Sequence, residues 1–263
     1  EHLGRPDMAG SLLEVYRELS GDDWPDSLAH LYIAYRATVR AKVACIGSRQ
    51  APGGWSIVPM GTARSLMEQA TAHLGLGAVR IVIVGGLPGT GKTTLAEQLS
   101  GATGWPVLSS DVVRKRLAGL DPDADASESF GSGIYSDDMT ATVYEELIGE
   151  AEIQLSLGQS VIIDASWIRR CWRDAASAVA ERCVAEFLPI RCRATGDLAR
   201  ARIRARARAG HQPSDATPSI HDAMASALEP WTDAMVVDTS DGVDQALAAV
   251  LEAMGLEMPD QDD

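Results

Sequence analysis

The run Gly86-Leu87-Pro88-Gly89-Thr90-Gly91-Lys92-Thr93-Thr94 follows the apolar stretch Ile81-Val82-Ile83-Val84, and no other feature restricts this 263-residue chain so strongly. G-x-x-x-x-G-K-[ST] after a β-branched run reads as a phosphate-binding loop. The glycines let the backbone wrap an anion with its N–H groups inward, Lys92 reaches the β- and γ-phosphates, and the Thr93 hydroxyl can ligate Mg²⁺. The chain has only three lysines against twenty arginines, so such a match arises by accident in roughly three chains per thousand of this composition. Leu95-Ala96-Glu97-Gln98-Leu99 continues at helical spacing and completes the strand–loop–helix that the loop requires. The bland alternative is a Gly-rich turn that merely joins strand to helix.

From Val79 onward, strands read at 80–85, 106–109, 160–164, 185–192 and 234–238. Helices read near 92–101, 112–119, 139–157, 168–183, 196–209, 218–228 and 243–254. Five strands separated by helices predict a three-layer α/β domain on a five-stranded parallel sheet, because parallel neighbours need crossovers and these cover both faces. Ligands then bind at the carboxyl ends of the strands.

Ahead of this lie two helical segments, from Ser11 to about Leu19 and from about Ser27 to Ala44. The second carries Leu28, Leu31, Tyr32, Tyr35, Val39 and Val43 as a stripe expected to be buried. The Pro- and Gly-containing stretch Gly47 to Gly61 reads as a linker, followed by a bridging helix near Thr62 to His73. The expected division is a helical segment 1–50, a linker and bridging helix 51–78, a phosphate-loop domain 79–256 and an acidic tail 257–263.

The net charge of −14 repels polyanions, so nucleic acid is an unlikely partner. No apolar run approaches the 18 residues of a membrane span. Cys45, Cys171, Cys183 and Cys192 have neither C-x-x-C spacing nor a metal-ligand pattern, and no secretory segment precedes them, which points to a reducing cytoplasm. The first residue is Glu1, not Met, which fits a fragment or processed product.

Two acids stand where the chemistry would be. Asp111 follows the second strand and Arg114 lies one helical turn further, so both face the same way. An acid there can take the proton of an attacking hydroxyl, and the arginine can hold an anionic group of the acceptor; the alternative is an Asp that only caps helix 112–119. Asp164 ends the third strand, placed for a Mg²⁺-side ligand or for holding the acceptor hydroxyl, with strand-end capping as the alternative. Trp167 and Trp172 read as packing residues, with stacking on an aromatic acceptor as the alternative. Arg202 and Arg206, one turn apart, are candidates for a mobile lid that closes on the triphosphate, against a merely solvated helix face. Thr239, Ser240 and Asp241 follow the fifth strand and are candidates for lining the base pocket. Ser214 to Pro218 reads as a loop and helix cap.

GLPGTGKTT, SSDVVRKRLAGL, VIIDASW, the RIRAR segment and the SDATPSI…EPW…VVDTS run together resemble the P-loop kinase-like ATPases of the polynucleotide kinase and zeta-toxin group, over about residues 79–255. More narrowly, the chain is similar to the C-terminal half of bacterial proteins in which such a domain follows an aminoglycoside-phosphotransferase-like domain, with EHLGRPDMAG and LYIAYRATVRAKVAC resembling that domain's last helices. The resemblance implies ATP and Mg²⁺, Asp111 as general base, Arg114 on an acceptor phosphate, Asp164 as a substrate-side acid, and Arg202 and Arg206 as lid arginines. The sequence departs from a polynucleotide kinase in having no basic channel and in the acidic stretch Asp121, Asp123, Asp125, Glu128, Asp137, Asp138. The expectation is therefore an ATP-dependent, Mg²⁺-assisted kinase acting on a small-molecule hydroxyl. Its rivals are a polynucleotide 5′-hydroxyl kinase and a nucleotide-binding regulatory ATPase.

Overall fold

A computed structural model describes residues 6–22, 24–50, 57–121, 133–209 and 217–256. The chain divides into two compact units, Glu1–Ala78 and Val79–Asp263.

In the first unit, helices α1 (Pro6–Ser20), α2 (Asp26–Gln50) and α3 (Ile57–Leu76) follow one another. Helices α2 and α3 pack through Ala34, Ala37 and Ala41 against Ala63, Leu66 and Ala70, a seam of small residues at three- and four-residue intervals that lets two long helices approach closely. The bridging helix belongs to this unit as α3, and the second unit starts at Val79. One expectation is corrected. The large stripe of Leu31, Tyr32, Tyr35 and Val43 is exposed, because the alanines, and not the bulky side chains, take the contact face. Among the described residues no helix is long and apolar enough to cross a membrane.

The second unit is built on strands β1 (Arg80–Gly85), β2 (Val107–Ser109), β3 (Val161–Asp164), β4 (Glu186–Arg193) and β5 (Met235–Asp238). They form one sheet in the order β2-β3-β1-β4-β5, with every pairing parallel. Helices α4 (Lys92–Thr103), α5 (Ser110–Leu117), α6 (Asp137–Ser156), α7 (Arg170–Arg182), α8 (Gly196–Ala209), α9 (Pro218–Ala227) and α10 (Asp244–Ala253) connect and cover them. Each element lies within two residues of its expected position, and the three-layer α/β fold is as the periodicity implied.

The apolar run of β1 is continuous because both of its faces are covered. Alternate side chains go to opposite layers: Ile81 and Ile83 join Leu147, Ala151, Ala176 and Val179 of α6 and α7, while Val82 and Val84 join Leu95, Leu99, Leu247 and Val250 of α4 and α10. Each such aliphatic side chain withdrawn from water contributes about 1.5–3 kcal/mol. The register sets Val84 beside Asp164 and Ser109 beside Asp164. The carboxyl ends of β1, β2 and β3 therefore meet, and the residues leaving them converge.

Candidate active site

The phosphate loop leaves β1 at Gly85 and ends in the first turn of α4. Its backbone needs glycine at two places. Gly86 has φ +142°, and a Cβ there would come within 2.7 Å of the Cys192 carbonyl and the Thr90 hydroxyl. Gly89 has φ +81°, and its Cβ would run into the Ala199 carbonyl at the start of α8; both conformations penalise any larger residue. Three carbonyls of the loop are held by side chains. The Thr90 hydroxyl donates to the Leu87 carbonyl at 2.8 Å, His221 Nδ1 from α9 to the Pro88 carbonyl at 2.8 Å, and the Thr239 hydroxyl to the Thr90 carbonyl at 2.7 Å. A carbonyl can only accept, so His221 carries its proton on Nδ1.

Thr93 donates its hydroxyl hydrogen to Asp164 Oδ2 at 2.7 Å. Asp164 is only 3% exposed, and its other oxygen, Oδ1, is buried without a hydrogen-bond partner. Burial pushes the Asp164 carboxyl above its ordinary value, opposed by the Lys92 charge and the Thr93 hydrogen bond. A hydroxyl and a carboxylate side by side, one oxygen unmatched and a lysine nearby, form the donor set that Mg²⁺ takes from a phosphate-loop protein. The residues present fit the metal. The contact also places Asp164 beside the phosphate loop.

A cavity of about 100 Å³ opens beside the loop, its lining including Pro88, Lys92, Asp111, Arg114, Ser166 and Trp172. Lys92 and Asp111, from different crossovers, thus share one space. Helix α5 begins at Ser110 with Ser109 as its cap residue, and no side chain caps it. Asp111 sits inside the first turn, so it is not the helix cap and its carboxylate remains available to the cavity. Arg114 is 6% exposed; its Nη1 donates to the Ile134 carbonyl at 2.7 Å and to the Thr140 hydroxyl at 3.3 Å, and its guanidinium lies 4.8 Å from the Tyr135 ring centre. Much of its donor fork is therefore committed to its own surroundings.

The lid arginines differ from expectation. Arg202 is held close to the end of the sheet here: its Nη2 donates to the Thr239 carbonyl at 2.6 Å and to the Ser240 carbonyl at 3.5 Å, and its Nη1 to the Thr239 hydroxyl at 3.4 Å. Helix α8 lies so close to Gly89 that Arg202 meets the loop after β5 instead of open solvent. Arg206, one turn on, is outside the cavity lining. Thr239 is fully buried, its single hydroxyl proton directed to the Thr90 carbonyl at 2.7 Å with the Arg193 carbonyl 3.2 Å away, so it fastens the loop. Residues 122–132 of the acidic stretch and 210–216 lie outside the described residues; Thr217 caps α9 with Pro218 at its start, as the sequence implied.

Sequence reasoning missed Tyr135, Thr140, Tyr144, Ser166, Ile220 and Met224, which line the cavity, and it read Trp172 as packing. Trp172 does pack, stacked on Tyr144 with ring centres 5.1 Å apart and planes 6° apart, while also facing the cavity. Ser166 was accessible to inference, since it stands two residues past the strand-ending Asp164. Trp167 is fully buried, at φ +53°.

Uncharacterized proteins of Mycobacterium tuberculosis strain H37Rv and of Mycobacterium bovis are each 38% identical to the chain over 240 residues, which is 91% of this chain and 47% of theirs. The chain thus spans about half the length of the curated relatives it matches. Among solved structures, a Chloroflexus aurantiacus protein provisionally assigned as a kinase is similar with a TM-score of 0.54 at 23% identity, over 68% of this chain and 97% of that one. The Mycobacterium tuberculosis APS kinase in complex with AMPPNP and APS gives 0.51 at 19% identity, over 68% and 98%. A Janibacter sugar kinase gives 0.50 at 18% identity, over 68% and 95%. These likenesses establish a P-loop kinase-like fold. Residues 81–231, more than half of the chain, match the AAA_33 family, described as an AAA domain, and the protein belongs to that family.

Proposed function

We propose that the chain is an ATP-dependent, Mg²⁺-assisted phosphotransferase that moves the γ-phosphoryl group of ATP to a hydroxyl of a small molecule. The observation that carries this reading is the shared cavity: the phosphate-loop residues Pro88 and Lys92 and the free carboxylate of Asp111 line the same space. A nucleotide held by residues 86–94 would present its γ-phosphoryl to that space, and a hydroxyl entering from the other side would meet Asp111.

In the step proposed, the acceptor oxygen forms a bond to the γ-phosphorus as the bond from that phosphorus to the β,γ-bridging oxygen breaks. ADP leaves with the bond's electron pair, and the hydroxyl proton passes to Asp111. Lys92 offsets charge on the β- and γ-phosphate oxygens as it shifts toward ADP. Thr93 and Asp164 are the side chains that would hold Mg²⁺, which when bound screens the phosphate charges and fixes their geometry. Arg202 serves the loop by holding the Thr239 carbonyl, and Arg206 has no assigned contact with the reacting groups.

Lys92→Ala should abolish ATP binding measured by calorimetry while the melting curve is kept, and Asp111→Asn should keep ATP binding while lowering acceptor phosphorylation by about 10²-fold or more. Unchanged ATP affinity in the lysine variant would sink the nucleotide reading. An undiminished rate in the Asn variant would remove Asp111 as the base.

A polynucleotide 5′-hydroxyl kinase is disfavoured by the net charge of −14 and by the commitment of Arg114 to Ile134 and Thr140. A regulatory ATPase would show turnover that no acceptor changes. The family match begins at residue 81, so the likeness of residues 1 to about 50 to the end of an aminoglycoside-phosphotransferase-like domain draws no support from it. The four cysteines are free thiols, which fits a reducing, cytoplasmic setting.

A further inference from the structure

The cavity beside the phosphate loop holds hydrogen-bond donors that its own side chains do not match. Tyr144 is 3% exposed, and its phenol oxygen accepts the Trp167 backbone N–H at 2.9 Å. That N–H can only donate, so the phenol's own proton needs an acceptor, and Ser166 Oγ lies 3.2 Å away. Burial raises the Tyr144 pKa, which keeps the proton on the phenol. With Ser166 Oγ accepting from Tyr144, the Ser166 proton is left for the cavity that this side chain lines. Two further lining residues carry buried donors without a partner: Trp172 at Nε1 and Arg114 at Nε. Buried donors are matched in native proteins as a rule, so unmatched ones around one space mark where oxygens of a ligand belong.

The charges limit what that ligand is. Among the described lining residues the cations are Lys92, Arg114 and Arg169, and the anions are Asp111 and Asp137. Arg169 is paired with Asp137 at 2.8 Å, and Lys92 belongs to the nucleotide. Arg114 and Asp111 then balance each other, leaving no net charge for an acceptor to neutralise. Apart from the hydroxyls of Ser110 and Thr140, the remaining wall is largely apolar, with the rings of Tyr135 and Trp172 and the side chains of Ile168, Ile220 and Met224. The space, about 100 Å³, is well below the roughly 300 Å³ or more of sites for drug-sized ligands.

We propose that Ser166 and Trp172 donate hydrogen bonds to the phosphoryl acceptor, and that this acceptor is a small, uncharged, polyhydroxylated ring of the monosaccharide or cyclitol class. Such a ring offers oxygens along its rim to the Ser166 and Trp172 donors, one hydroxyl to Asp111, and C–H faces to the apolar wall. The inference rests on the kinase reading above and adds the substrate class and two residues to it.

The test incubates the protein with labelled ATP and Mg²⁺ and, separately, D-glucose, D-mannose, myo-inositol, D-gluconate or a 5′-hydroxyl oligodeoxynucleotide. ATP binding is measured in parallel by calorimetry. Label should pass to at least one neutral ring in preference to gluconate and the oligonucleotide. Ser166→Ala and Trp172→Phe should each raise KM for that ring by about tenfold, with kcat and KM for ATP little changed, because each loses one donor to the bound acceptor. Trp172→Phe should keep the melting temperature, whereas Ser166→Ala should lower it by a few degrees, because the buried Tyr144 phenol loses its acceptor. Transfer to gluconate or the oligonucleotide but to no neutral ring overturns the proposal, as does no transfer to any of the five while ATP still binds. A ring whose KM neither variant changes overturns the assignment of Ser166 and Trp172. Failure to bind ATP at all overturns the kinase reading beneath the proposal.

Discussion

Replacing Arg202 with alanine separates a fastening role from a lid role. The guanidinium makes one short charged hydrogen bond, Nη2 to the Thr239 carbonyl at 2.6 Å, and two at 3.4 and 3.5 Å that are too long to add much. A hydrogen bond to a charged group contributes about 1.5–3 kcal/mol, and Arg202 is half-buried, so about 1–2 kcal/mol is the reasonable loss. For a protein of this size each kcal/mol moves the melting temperature by about 2–4 °C, which predicts a fall of about 2–8 °C by calorimetry. The freed Thr239 carbonyl belongs to the residue whose hydroxyl holds the Thr90 carbonyl, so the phosphate loop loosens with it. ADP affinity, measured by titration calorimetry, should weaken about three- to tenfold. Arg202→Lys, which keeps the charge but donates from a single point, should recover part of both losses. A lid arginine would instead leave melting and ADP affinity untouched and lower turnover alone; that outcome would refute the fastening argument.

Three other substitutions or conditions give direct readouts. Gly89→Ala should abolish ATP binding in a calorimetric titration, because its Cβ meets the Ala199 carbonyl and its φ of +81° disfavours an L side chain. The raised pKa of Asp164 makes two pH predictions with opposite signs. Between the ordinary carboxylate value of 3.8 and the raised one, the folded chain keeps a proton that the unfolded chain has lost. Stability of the ligand-free protein therefore falls as pH rises through that window, and Asp164→Asn should flatten this part of the urea-unfolding profile. Mg²⁺-dependent ATP affinity should rise across the same window, as the carboxylate forms. Cys192, 2% exposed and with its thiol pushed up to about 12 by burial, should resist iodoacetamide at pH 8 in the folded protein while exposed Cys171 is alkylated, as peptide mass mapping would show.

The strand run 81–84 and the loop 86–94 were legible because their chemistry is local: a doubly covered strand has to be continuously apolar, and an anion cradle needs glycine and lysine at fixed spacing. Asp111 and Asp164 were legible for a related reason, since strand ends in a parallel sheet meet at one edge. Their proposed division of labour was not, because the contact from Thr93 that supports a Mg²⁺-side place for Asp164 spans 71 residues of sequence. The contact of Arg202 was hidden because nothing in α8 itself reveals that Thr239, 37 residues later, comes to rest against it. The bulky stripe of α2 misled for another reason: hydrophobic periodicity weights large side chains, and α2 meets α3 through alanines. Tyr144 and Trp172 lie on α6 and α7 in patterns that read as core, and core packing is indeed half of what they do.

The three tethered carbonyls of the phosphate loop have a consequence for which ion it can accept. A trans peptide is planar, with its N–H pointing opposite its C=O. Holding the Pro88 carbonyl by His221 and the Thr90 carbonyl by Thr239 therefore fixes the directions of the Gly89 and Gly91 N–H groups as well. Glycine-rich backbone is the kind that flips a peptide plane most easily, and here a flip would have to break a hydrogen bond to a neighbouring element. The loop cannot readily turn those oxygens toward a guest, so sodium, potassium or ammonium finds no ring of carbonyls there. Its preference for anions is set by folding, before any nucleotide arrives.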